Sequence, residues 1–101
     1  MPHYQINDAK EACWAFEPTQ AVNYCEAHDY NTLWDKLCIS AKNDSEDVRI
    51  KMDKLAAAIV ILSQGMPFIQ LGQDFLRSKP RILKEGEEPN DVNIYSHDCY
   101  D

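Results

Sequence analysis

The sequence predicts an α/β chain in which two short strands enclose a pair of helices, and three observations carry that prediction. Alternation of Val22, Tyr24 and Glu26 against Asn23, Cys25 and Ala27 has the period of a strand. A stretch beginning at Ser45 repeats apolar residues at helical spacing and stops at Gly65 and Pro67. The apolar run MPFIQL follows at once, so strand, helices and strand succeed one another in the order of a βαβ unit, whose strands are parallel neighbours.

Residues 1–20 read as a lead-in segment, where INDAKEACWAFE sets Ile6, Ala9, Cys13 and Phe16 roughly on one side of a short helix that Pro18 ends. The first strand is expected over residues 21–27, followed by a turn through His28, Asp29 and Tyr30. Thr32 is placed to cap a short helix starting at Leu33, with Asp35 three positions on in a capping-box arrangement that uses Asp instead of Glu. Residues 41–45, AKNDS, are turn-prone, and Ser45 before Glu46 and Asp47 combines a hydroxyl cap with anions at the positive end of the helix dipole.

In the main helix Val48, Met52, Leu55, Ile59 and Leu62 recur at spacings of 4, 3, 4 and 3, while Arg49, Lys51, Asp53 and Lys54 face away. Ala56, Ala57, Ala58, Val60 and Ile61 broaden the apolar face, so the second half is expected to be deeply buried. Gly65 suits a left-handed C-terminal position and Pro67 cannot continue a helix. The second strand is expected over residues 67–71 and a helical turn over 73–77. Residues 80–101, with Gly86, Pro89 and crowded acids, read as a long acidic surface loop.

Ten basic against seventeen acidic residues give a formal charge of −7. That balance repels phosphate backbones and anionic lipid, and it argues against a nucleic-acid partner. The apolar run at 55–62 is far short of the roughly 20 residues that span a bilayer, so no membrane partner is expected. No signal peptide is visible, which leaves the compartment, cytoplasmic or secreted, unassigned. Cys13, Cys25, Cys38 and Cys99 have neither zinc-ligand nor disulfide-framework spacing and read as separate thiols. No cofactor is implied.

A chain of 101 residues is too short for a closed α/β barrel of about 250 residues, so any barrel here is partial. In parallel α/β architectures the carboxyl ends of strands line the ligand crevice, which makes His28-Asp29 the candidate site. The plain alternative is a pair making local hydrogen bonds. A phosphohydrolase-type metal site, with His97-Asp98 or His3 adding ligands, fails on placement, because such ligands come from several converging helices. Trp34 and Trp14 could stack on the apolar face of a sugar, or simply pack in a core.

VNYCEAHDYNTLWDKL, then LSQGMPFIQLGQDFLRSK about thirty residues later, then a polar NIY segment, resemble the late part of the catalytic barrel of type I pullulanases. These are starch- and glycogen-debranching members of the α-amylase superfamily. The resemblance is good over residues 21–79 and looser over 90–101. It implies a partial (β/α)8 barrel, helix-rich, with residues 21–27 as its seventh strand, 45–64 as its seventh helix, 67–71 as its eighth strand and a following loop.

The same resemblance implies roles. Asp29 lines up with the carboxylate that stabilises an oxocarbenium-like transition state, and His28 with the neighbour that hydrogen-bonds glucose at the cleavage subsite. Arg77, Asn93 and Tyr95 match positions near the substrate groove. Tyr30 stands where the family has Asn, and Ser96 where an NSYN-like segment has Asn. Retention needs a nucleophile and a general acid, which this family carries on its fourth and fifth strands. The chain is therefore expected to be a piece of a debranching enzyme that hydrolyses α-1,6-glucosidic bonds in an α-glucan partner, inactive in isolation. The alternative is a non-catalytic, self-associating, carbohydrate-related α/β module, since two strands alone leave sheet edges and an apolar helix face uncovered.

Overall fold

A computed structural model describes residues 15–97. The expected lead-in helix, Trp14, Cys13, His3, Asp98 and Cys99 lie outside the described residues. The chain enters through a single 3-10 turn, Pro18–Gln20, in which Gln20 Oε1 accepts hydrogen bonds from the amides of Phe16 (2.7 Å) and Glu17 (3.0 Å). Next come β1 (Val22–Asn23), α1 (Leu33–Ser40), α2 (Glu46–Leu62) and β2 (Met66–Pro67), then a second 3-10 turn, Gln73–Phe75.

The strands are parallel, with Val22 opposite Met66 and Asn23 opposite Pro67. Both are shorter than the sequence suggested. Proline has no amide proton, so the bonds to β1 come from the residues on either side of Pro67: Met66 N to Ala21 O at 2.8 Å and, just past the strand, Phe68 N to Asn23 O at 2.9 Å. The strand expected over 67–71 begins one residue earlier and ends at Pro67. Phe68, Ile69 and Leu71, expected in that strand, are exposed coil. The pairing on the first strand likewise stops at Asn23, well before Ala27.

Both helix starts follow their caps. Thr32 Oγ1 accepts from Asp35 N at 3.1 Å, and Ser45 Oγ from Val48 N at 3.3 Å. The Asp35 carboxylate does not complete a capping box; it accepts instead from Ser78 Oγ and Lys79 N. Glu26 takes up a further amide of the first turn, since its Oε2 accepts from Leu33 N at 2.7 Å. At the far end α2 stops at Leu62 with extended Ser63 as its cap, so Gly65 turns the chain into β2 and does not close the helix. Gly65 has φ +127°, and a Cβ there would lie 2.6 Å from Asn23 Nδ2, which donates to Gln64 O.

The buried face of α2 is not the expected one. Leu55, Ile59 and Leu62 are exposed, Leu62 at 83 %, whereas Asp53, expected to face away, and Val60 are buried. Ile50, Asp53, Ala57 and Val60 form a second stripe of helical period, and it is this stripe that turns toward the Gln73–Phe75 turn, with which Ile50, Asp53 and Ala57 share a cleft. Packing of α1 on α2 is helped by Arg49, whose Nη1 donates to Asp44 O (2.7 Å) and Ala41 O (3.3 Å) while its guanidinium lies 5.9 Å from the Trp34 ring centre.

Residues 80–97 fold back on themselves. An antiparallel bridge joins Pro80 to Tyr95, with Arg81 N bonded to Ile94 O and Ser96 N to Lys79 O at 2.7 Å. Between these ends Arg81 pairs with Glu87 at 3.1 Å, so the expected loop has a closed neck and an internal ion pair.

Candidate functional site

Beyond Asn23 the chain leaves the sheet, and residues 24–32 connect β1 to α1. His28 and Asp29 lie on this connection and not on the strand itself. Their side chains are both more than half exposed, with His28 Nε2 3.3 Å from Asp29 Oδ1. Tyr30 is left-handed at φ +61°, a conformation unusual for a bulky side chain. It reverses the chain so that Asp29 and Tyr30 both face a cleft of about 620 Å³, whose wall also includes Tyr24, Lys36, Ser40 and His97. The rings of Tyr30 and His97 are 6.2 Å apart. A cleft with a carboxylate, two tyrosines and an imidazole on its rim has the acceptors, donors and flat apolar faces that a polyhydroxylated ring engages.

Other residues singled out from the sequence are placed elsewhere. Trp34 is half-buried against Arg49 and does not line the cleft. Arg77 Nη1 donates to Leu71 O at 3.2 Å, and its charge acts on Glu26. Asn93 builds a turn: its Oδ1 accepts from Asn90 N at 2.8 Å and its Nδ2 donates to Glu88 O at 2.9 Å. Tyr95 and Asn93 line a second cleft of about 350 Å³, which meets the first at His97. Burial, with the neighbouring Cys38 and Asp35, pushes the Tyr95 phenol above its ordinary range.

Sequence reasoning assigned no role to Lys79 and other roles to three residues that the structure places at or behind the site: Glu26 as a strand residue, Asp35 as a capping-box acid and His97 as a candidate metal ligand. Lys79 is almost wholly buried, and its ammonium donates to His28 O at 2.8 Å and to Tyr30 O. Asp35 has no exposed surface and holds the Lys79 amide at 2.7 Å. One signal was available, a carboxylate at position 26 inside a strand pattern, because a buried carboxylate requires donors. Burial raises the Glu26 carboxyl; the Leu33 amide opposes this and Asp53 adds to it. Burial also raises Asp53 and the Cys25 thiol, whose sulfur accepts from Gln73 Nε2 at 3.2 Å.

Among the described residues no three histidine, cysteine or acidic side chains lie close enough to hold a metal ion. No helix among them is long and apolar enough to cross a membrane.

No family model matches the chain. It is 38 % identical over 77 residues to the pullulanase of Bacillus subtilis (strain 168), a match covering 76 % of this chain and 11 % of that protein. It is 39 % identical over 75 residues to Pullulanase 1, chloroplastic, of Arabidopsis thaliana, covering 73 % and 8 %. The crystal structure of a pullulanase from Anoxybacillus sp. LM18-11 complexed with maltotetraose superposes with a TM-score of 0.63 and 54 % identity, over 64 % of this chain and 10 % of that one. The chain thus spans about a tenth of the length of the relatives it matches.

Proposed function

We infer, from a chain that is pullulanase-like over most of its length, that it acts as part of a debranching hydrolase cleaving α-1,6-glucosidic bonds with retention. In this reading residues 21–79 are a strand-helix-strand portion of a (β/α)8 barrel and residues 80–101 an acidic loop beside it. The cleft beside Asp29 takes an α-glucan, in keeping with the maltotetraose held by the Anoxybacillus relative.

The chemistry follows from electrostatics. As the glycosidic bond breaks, positive charge develops on the ring carbon, and a carboxylate aimed at it stabilises the transition state more than the ground state. Asp29 is assigned that role. His28 positions the glucose by hydrogen bonding, and the Tyr30 ring offers a face to it. Asn93 and Tyr95 are assigned to an extension of the groove through the second cleft, which adjoins the first at His97, and Trp34 and Arg77, which line neither cleft, are given no contact with the glucan. The nucleophile and the general acid are assigned to other strands of the barrel, so residues 1–101 alone are expected not to turn over substrate.

The observation that carries this reading is the exposed Asp29 carboxylate on the wall of a cleft, with the His28 imidazole 3.3 Å behind it, in a chain 54 % identical to a pullulanase over 64 % of its length. Its test is a graft in which the matching segment of the Anoxybacillus pullulanase is replaced by that of this chain. An active graft should lose about a hundredfold or more in kcat on pullulan when Asp29→Asn is introduced, with its thermal midpoint nearly unchanged. Near-normal turnover rejects the assignment.

A second reading rests on the exposed apolar residues of α2 and of the segment after β2. It makes the isolated chain a self-associating module with no catalytic part. Restored activity in the graft, lost again with Asp29→Asn, speaks against it.

A further inference from the structure

We propose that Lys79 is a positioning residue that holds the Asp29 connection in its working shape. This rests on the role assigned above to Asp29. The two carbonyls on which the Lys79 ammonium closes belong to His28 and Tyr30, one residue to either side of Asp29. A cation clamping both neighbours fixes the peptide planes between them, and therefore the direction in which the Asp29 side chain leaves the backbone. One of those carbonyls belongs to the left-handed Tyr30, a conformation that persists only where surrounding contacts retain it.

The lysine is itself held from behind. Its amide donates to Asp35 Oδ2 at 2.7 Å, the adjoining Ser78 hydroxyl donates to Asp35 Oδ1, and its carbonyl accepts from Ser96 N at 2.7 Å. Asp35 sits in the first turn of α1, three residues beyond Thr32, which is also fully buried. A long flexible side chain buried in this way has no freedom left, so its head is a fixed point for the loop. The pairs span 44 and 51 positions, and they connect the chain after β2 with the chain after β1. A lysine serving only to fill space would have no reason to straddle the candidate carboxylate.

The test uses the same graft in the Anoxybacillus host, with kcat and KM measured on pullulan. Lys79→Met keeps the stem and removes the donors; it should lower kcat roughly tenfold to a hundredfold while KM moves less than about threefold, as expected for a displaced catalytic group. Lys79→Gln reaches one carbonyl at most and should lose less. The deciding readout is the double variant: if the lysine acts through Asp29, adding Lys79→Met to Asp29→Asn lowers the residual rate by no more than about twofold. A purely structural role makes the two losses multiply, and that result overturns the proposal. So does a kcat for both lysine variants within twofold of the parent graft. Should the methionine variant not accumulate as folded protein, the glutamine variant decides on the same criteria. An Asp29→Asn graft with near-normal turnover rejects the site assignment and the lysine proposal together, whereas a crippled Asp29→Asn beside an unaffected Lys79→Met rejects only the lysine.

Discussion

Glu26 and Asp53 show what single residues contribute beyond the site. Both carboxyls are buried and raised above their ordinary range, and Glu26 Oε1 and Asp53 Oδ2 are buried with no hydrogen-bond donor among the described residues. In the interval between the ordinary and the raised value, the folded chain binds more protons than the unfolded chain. Stability therefore falls as pH rises through that interval and levels off above it. Asp53→Asn keeps the shape and removes the charge, so the 101-residue chain should melt higher at pH 7 with the substitution than without it. The gain should vanish below the ordinary aspartate value of 3.8, and thermal unfolding followed by circular dichroism across pH checks both limbs. An equal shift at every pH counts against charge burial as the cause. At this scale the sequence exposed the carboxylate at 29 but not its supports, because Lys79 and Asp35 acquire their meaning only from partners dozens of positions away.

At the level of elements, local chemistry was legible and lateral placement was not. The caps at Thr32 and Ser45 follow from hydrogen bonds within a few residues, which a sequence displays directly, whereas the helix expected to close at a left-handed Gly65 ends earlier, at Leu62 with extended Ser63. The face that α2 buries depends on where the Gln73–Phe75 turn lies. Two stripes of the same period compete, and the more apolar one is left outward. Strand limits failed similarly, since a ladder extends only as far as its partner can pair and Pro67 offers no amide. The two α2 stripes give a direct test in the isolated chain. Val60→Ala should cost roughly 1–2 kcal/mol, while Leu62→Ala should stay within about 0.5 kcal/mol, read from denaturant midpoints. Within the full-length graft, where the other stripe is expected to be covered by the barrel, Leu62→Ala should become costly.

For the molecule as a whole, the described residues bury more polar than apolar side chains. Val60 is the buried hydrophobic residue among them, whereas Glu26, Thr32, Asp35, Asp53, Gln70, Gln73 and Lys79 are all buried. Polar networks of this kind fix loops but contribute little net stability, which comes chiefly from apolar burial. Leu55, Ile59, Leu62, Phe68, Ile69 and Leu71 meanwhile remain in contact with water. The isolated chain is accordingly expected to self-associate, with elution from size-exclusion chromatography shifting to larger species as concentration rises. A compact monomer at every concentration goes against this.

The neck formed by Pro80 and Tyr95 has a consequence for insertions into this segment. Ser96 and Arg81 close it by backbone bonds, so the tip around Gly86 projects beyond the neck; an added Cβ at Gly86 meets nothing within 4 Å, but its φ of +84° reserves that one position for glycine. A reporter peptide spliced in beside Gly86 would therefore load the neck bonds before it reached the anchor beneath.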